Sequence, residues 1–296
     1  MKRRDVICLL AAGGAPGQSG VGAPVMARWF DEEQRMVTTI YGLPGSLVMD
    51  AGEGTALPGE RVVASSGREY LLYLEPEGRP ELLTFAGARG RLPDLPPAPT
   101  SMVVSDSGRV AALGYGSEAI ILTGLPEAPR IASRIPMTNG RLVAVRNDGR
   151  QVLAREQESL WLAGDRRVPL HDAPRALATF TNTGVAVADG DELRHWDAAS
   201  GQWQVLGTRD EGLRRPVALA AYGDIVLVAD AEARRIFEFR RGSVLSHACY
   251  VAPTRLSLLG SGRYLITGLA DAAVLVFSAR ASESGVTTVV RAEAGL

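Results

Sequence analysis

A short polar turn closed by glycine returns along this chain at nearly constant intervals. The clearest copies are Ser65-Ser66-Gly67-Arg68, Asp106-Ser107-Gly108-Arg109 and Asn147-Asp148-Gly149-Arg150. Looser copies follow at Asn182-Thr183-Gly184, Tyr222-Gly223-Asp224 and Gly260-Ser261-Gly262-Arg263. The glycines are 41, 41, 35, 39 and 39 residues apart. Each turn joins two short apolar runs, and glycine supplies the positive φ that a tight hairpin asks for. Further runs complete each unit. Around the second turn they fall at residues 101–105, 109–115, 119–124 and 130–135. Around the fifth they fall at 217–221, 224–229, 235–239 and 243–251, and around the sixth at 255–259, 263–267, 273–278 and 286–291. Valine, isoleucine, leucine and phenylalanine fill these runs, turn residues separate them, and no stretch has the period of an amphipathic helix. Four short strands in about 40 residues make one blade of a β-propeller, whereas a sandwich or barrel needs no such period. The expected fold is therefore all-β, a single β-propeller of four-stranded blades.

Six units are complete. Residues 28–50 hold three more strand-like pieces, at 28–30, 36–41 and Ser46–Met49. A seventh blade, lying beside the C-terminal unit and closing the ring, is the expectation. The alternative is a six-bladed ring with residues 28–58 capping one edge. Either arrangement leaves no open sheet edge. The loop at 50–59 and the proline-rich segment at 93–99 read as linkers between blades.

The 296 residues carry 32 basic and 33 acidic side chains, a net charge of −1, so the basic excess of a nucleic-acid protein is missing. No apolar run reaches the 18 or so residues of a membrane span. The only lysine is Lys2. Schiff-base chemistry, a P-loop and a kinase-type lysine are thereby excluded from the body of the chain. Lys2-Arg3-Arg4 and the apolar run Val6-Ile7-Cys8-Leu9-Leu10-Ala11-Ala12 read as an export signal. Cleavage is expected after Ala27, with Val25 at the −3 position. This divides the chain into a leader at 1–27 and a propeller at 28–296, placed in the periplasm or outside the cell. A cytoplasmic protein is the alternative. The Arg3-Arg4 pair resembles a twin-arginine leader, although Asp5-Val6-Ile7 departs from that pattern. Asp5-Val6-Ile7 before Cys8 is also no lipobox. After cleavage Cys249 stands alone, which excludes an internal disulfide, a cysteine-rich zinc site and an iron–sulfur cluster. A buried structural thiol is expected there.

Leu213-Arg214-Arg215-Pro216-Val217, Gly223-Asp224-Ile225-Val226-Leu227-Val228-Ala229-Asp230 and Arg235-Ile236-Phe237-Glu238-Phe239 together resemble an NHL repeat. Leu193-Arg194-His195-Trp196-Asp197-Ala198-Ala199-Ser200-Gly201-Gln202 is similar to the third-strand hairpin of WD40 and YVTN repeats, without the usual Gly-His pair. Phe30-Asp31 followed by Gly42-Leu43-Pro44-Gly45 resembles the opening of exported bacterial propellers. These resemblances imply a propeller and leave its activity open.

The chain offers little catalytic signature. His171, His195 and His247 fall in three different units: the first in a turn before Pro174, the second on a third strand, the third on an outer strand. Each is expected to stand alone as a structural or surface residue. Asn139, Asn147 and Asn182 are the only asparagines, and two sit in hairpin turns, too few for an oxygen-rich cation site. No G-x-S-x-G or H-E-x-x-H motif occurs. Trp161 and Trp196 are expected to end third strands and to pack between blades. Four tryptophans, Trp29 and Trp203 included, are too few for quinone-cofactor docking motifs. No catalytic, cofactor-binding or metal-binding residue is assigned and no cofactor is expected. The reading is a non-catalytic propeller of the cell envelope that binds a protein or small ligand, with no nucleic acid and no membrane span. A metal-dependent, lactonase-like propeller hydrolase is the alternative. It would need three or four carboxylates converging on one point.

Overall fold

The computed structural model describes residues 24–31, 36–43, 46–49, 62–64, 70–164, 166–172, 175–240, 242–260, 262–268, 274–279 and 284–291. Most of the leader, the turn at 65–68 and the loop at 50–59 lie outside the described residues. The only helical element among them is a single 3-10 turn, Arg209–Glu211. Among the described residues no helix is long and apolar enough to cross a membrane.

The strands group into seven consecutive antiparallel units, called blades 1 to 7 in chain order. Blade 1 contains Val25–Asp31, Met36–Leu43 and Ser46–Met49. Blade 2 contains Val62–Ala64, Tyr70–Leu74, Pro80–Thr84 and Arg89–Gly90. Blade 3 contains Ser101–Val104, Val110–Gly114, Gly116–Thr123 and the first part of the long strand Arg130–Val145. The rest of that strand opens blade 4, followed by Val152–Glu156, Ser159–Ala163 and Val168–Asp172. Blade 5 is Leu177–Phe180, Gly184–Asp189, Glu192–Asp197 and Trp203–Gly207. Blade 6 is Pro216–Tyr222, Ile225–Asp230, Arg235–Arg240 and Ser243–Ala248. Blade 7 is Pro253–Gly260, Arg263–Gly268, Val274–Ser278 and Gly285–Arg291.

Burial runs across each blade from the inside out. First strands touch one another around the ring and are half-buried, as Pro216–Tyr222 shows. Second strands such as Tyr70–Leu74 and Val110–Gly114 are buried throughout, because both faces of the sheet pack on neighbouring blades. They read as unbroken apolar runs for the same reason. The outer strand Ser243–Ala248 is almost wholly exposed.

Each interface between blades carries its own apolar cluster. Leu72 and Leu82 meet Leu113 and Ile120 between blades 2 and 3. Ala112 and Ile121 meet Val152 and Ala154 between blades 3 and 4. Leu153 and Leu162 meet Val185 and Val187 next, then Ala186 and Leu193 meet Val228 and Phe237. Leu227 and Ile236 meet Ile266 and Phe277 between blades 6 and 7. The N-terminal strands supply the last two contacts. Ile40 and Leu47 pack on Leu265 and Val276 of blade 7, and Phe30 packs on Leu71 of blade 2. Seven clusters for seven interfaces close the ring, and the N-terminal strands form a blade of it, not a cap on six.

Closure also uses the backbone. Gly285–Arg291 pairs antiparallel with Val274–Ser278, and its last residues, Val289 to Arg291, pair parallel with Leu47 to Met49. One C-terminal strand thus serves the outer edges of blades 7 and 1.

Four sequence expectations change. The fourth run of blade 3 does not stop at residue 135. It continues to Val145 and becomes the first strand of blade 4. The crossing lies where Asn139 takes a positive φ of 49° and the Thr138 N–H donates to Glu156 Oε1 at 3.0 Å. His171 lies in the strand Val168–Asp172, not in a turn. Trp161 lies mid-strand in Ser159–Ala163 and does not end it. The first strand also begins at Val25, ahead of the expected cleavage point, and Ala27 is buried against Ile40 and Leu47.

Candidate functional site

In blades 3 to 7 the turn that repeats in sequence sits at the same joint, between the first and second strands. All these turns therefore gather at one end of the ring. Those of blades 3 to 7 border a cavity of about 430 Å³, walled by Asp106, Arg146, Asn182, Tyr222, Gly262 and Tyr264, among others.

Hydrogen bonds tie successive turns together. The Tyr70 hydroxyl donates to the Gly108 carbonyl at 2.8 Å, linking blades 2 and 3. The Ser107 N–H donates to Asn147 Oδ1 at 2.9 Å, and Arg146 Nη2 donates to the Asn182 carbonyl at 3.2 Å. The Asn182 N–H donates to the Gly223 carbonyl at 3.3 Å. The Tyr264 hydroxyl reaches back from blade 7 to the Ala221 carbonyl at 2.8 Å. Glycine serves two purposes in this belt. Gly108, Gly149, Gly223 and Gly262 hold φ between 65° and 75°. Gly184 does not, but a Cβ there would lie 1.8 Å from the Trp196 carbonyl oxygen. The ring of Tyr222 lies over Gly262, where a Cβ would meet it at 3.0 Å.

The charges of the mouth do not cancel. Arg146 donates to Gln151 Oε1 at 2.8 Å and lies 3.7 Å from Asp148 Oδ2. Asp148 also accepts the Arg150 N–H at 2.9 Å. Asp106 has no hydrogen-bond or ion-pair partner among the described residues. Its surface opens on the cavity, yet the protein crowding its carboxyl strips away water and pushes its pKa up to about 6. Burial raises the pKa of the Tyr264 hydroxyl, and the neighbouring Asp106 and Tyr222 raise it further.

The residues singled out by sequence lie elsewhere. His171 Nε2 meets Asp189 Oδ2 at 3.0 Å across blades 4 and 5, at a rim cleft of about 90 Å³ shared with Glu192, Arg194 and Trp203. His195 Nε2 lies 2.9 Å from Thr181 Oγ1. His247 Nε2 lies 3.2 Å from Ser284 Oγ, while Ser284 donates to the fully buried Glu238 at 2.7 Å. That group is no catalytic triad. The carboxylate approaches the same ring nitrogen as the serine, at 3.5 Å, and is already neutralised by Arg240. It staples the outer edges of blades 6 and 7.

Cys249 is buried and burial pushes its thiol up to about 11, the inert thiol expected. Trp196 packs on the apolar cluster between blades 4 and 5, and Arg167 lies 4.4 Å over the Trp161 ring. Asp230, at the end of the NHL-like segment, is fully buried and accepts the N–H groups of Arg214, Arg215 and Ala233 at 2.7–2.8 Å. Asp197 of the Trp-Asp pair closes its hairpin on Ser200. Both aspartates are structural. Among the described residues no three histidine, cysteine, aspartate or glutamate side chains converge to hold a metal.

Sequence reasoning found the turns but treated them as punctuation. The signal it passed over was positional: a polar turn repeated at one joint of successive blades must assemble around one end of the ring.

Seven blades in a closed ring, with a walled mouth at one end, define a β-propeller. The sequence matches no protein-family model and no curated protein. Solved structures share the fold. The Cps50 (Swd1) β-propeller domain of Myceliophteria thermophila is similar with a TM-score of 0.53 at 11% identity, over 76% of this chain and 83% of that one. U3-55K is similar at 0.54 and 10% identity, over 80% and 83%. The RRP9 WD40 repeats are similar at 0.53 and 10% identity, over 81% and 82%. At such identities the likeness is one of fold.

Proposed function

We propose that this propeller is a non-catalytic binding protein that engages its partner across the turn mouth. One observation carries the reading: five turns, laced together by hydrogen bonds between blades, frame a cavity whose charge is uncompensated. Cross-linked turns on rigid sheets offer a preformed surface, which lowers the ordering cost of association. Rings of repeated units present broad faces of this kind. The basic start and apolar run of residues 2–12 support export to the cell envelope as the setting.

Site-specific photocrosslinking in the producing cells tests the surface. A photoreactive phenylalanine analogue at position 222, on the mouth, is compared with the same group at 203, on the outer edge of blade 5. Adducts at 222 and none at 203 support the reading. Adducts confined to 203 overturn it. Fractionation of the same cells tests the setting, and full recovery in the cytoplasm would remove it.

A further inference from the structure

Resting on the mouth as the binding surface, we propose that its occupant is a guanidinium group, an arginine side chain carried on an extended segment of a protein partner. The sign of the cavity is the first argument. Arg146 is opposed by Asp148 and held by Gln151 and Asn182, so its charge is already matched within the wall. Asp106 lacks any described partner and leaves the wall with a net negative charge. An anion entering the cavity would meet that carboxylate and be repelled.

The second argument is the aromatic wall. Tyr222 lines the cavity with 40% of its surface exposed, backed by Gly262. Asp106 of blade 3 lies across the mouth from Tyr222 and Tyr264 of blades 6 and 7, and its charge still reaches the Tyr264 hydroxyl. A carboxylate across a cavity from an open aromatic ring suits a planar cation, which donates two hydrogen bonds from its edge and stacks through its face. A compact ammonium uses the ring less well. The third argument is size. About 430 Å³ holds an arginine side chain together with the backbone on either side of it.

The test titrates the full chain with a seven-residue, end-blocked peptide of glycine and serine carrying one central arginine. Its counterpart carries citrulline, of the same shape without the charge. Saturable binding of the arginine peptide at pH 7.5, at least about tenfold tighter than the citrulline peptide, is expected. Binding should weaken about tenfold at pH 5, as a carboxyl with a pKa of about 6 takes up its proton. Asp148, Arg146, Tyr222 and Tyr264 are the other ionisable groups on the wall, so Asp106→Asn fixes the assignment. It should lower affinity at pH 7.5 at least about tenfold and abolish the pH dependence. Tyr222→Leu should weaken binding several-fold, and Val244→Ser on the outer strand of blade 6 should leave it unchanged. A thermal melt of each variant confirms folding.

Agmatine separates the sources of the guanidinium. Tighter binding of the peptide supports a protein partner, and equal or tighter binding of agmatine overturns it. Equal binding of both peptides, lost in Tyr222→Leu, overturns the guanidinium and keeps the mouth. No peptide binding, with crosslinks confined to 203, overturns both.

Discussion

Asp106 faces the cavity at a cost to the fold. A carboxyl whose pKa rises to about 6 on folding is harder to ionise in the native state than in the unfolded chain. The folded protein then binds more protons than the unfolded chain between the ordinary aspartate pKa and about 6. Stability falls as pH rises through that window. Asp106→Asn is therefore expected to raise the melting temperature at pH 7.5, with the gain shrinking toward pH 4.5; thermal melts at the two pH values check the sign. A residue that improves the fold when lost and harms binding when lost is the mark of a site. Asp230 predicts the reverse. Its replacement by alanine leaves three backbone N–H groups without their acceptor at a buried position. The expected loss is about 3 kcal/mol, roughly 5 °C in a chain of this size, measured by denaturant and thermal unfolding. Both aspartates stand in or next to quoted motifs, yet only their surroundings separate their roles. One carboxylate is enclosed by donors and the other has none, and a single sequence carries no record of that difference.

Strands were legible because their chemistry is local. Buried second strands such as Val110–Gly114 are unbroken apolar runs, and the run at Ser46–Met49 has the bounds read from sequence. What sequence missed depended on distant partners. The long strand Arg130–Val145 bridges two blades because Glu156, from the next strand, holds the Thr138 N–H at the crossing. His171 looked like a turn residue beside Pro174, but pairing with Ser159–Ala163 holds it extended. The first strand raises the same point about the leader. Val25 pairs with Tyr41 and Ala27 with Ile40, and Ala27 is buried. Cleavage after Ala27 would remove these pairs. A chain beginning at Arg28 is therefore expected to melt below one beginning at Pro24, and the intact mass of the protein purified from its producing cells should show Val25 retained. A mature chain starting at Arg28 with an undiminished melt would show that the strand does not need its first residues.

The candidate site exists only at the scale of the whole ring. No blade holds more than a fraction of the mouth, and each turn in isolation is an ordinary polar hairpin. Their convergence depends on closure, and closure depends on the two chain ends meeting. Leu47 and Ile40 from the start of the chain cover Leu265 and Val276 near its end, while the final strand runs alongside Ser46–Met49. Removing residues 1–49 would uncover those side chains and Leu71, and would leave blades 2 and 7 with unsealed faces. Exposed apolar faces of this kind drive association between chains. The truncated protein is expected to lose its single sharp thermal transition and to elute as aggregate in size-exclusion chromatography. A six-bladed ring with a removable N-terminal cap would behave otherwise, eluting as a monomer with a melt close to that of the full chain. The same truncation should also weaken the arginine peptide, although no residue lining the mouth is deleted. The turns of blades 3 to 7 keep their spacing only while the ring holds them, so the mouth should open as the circle does.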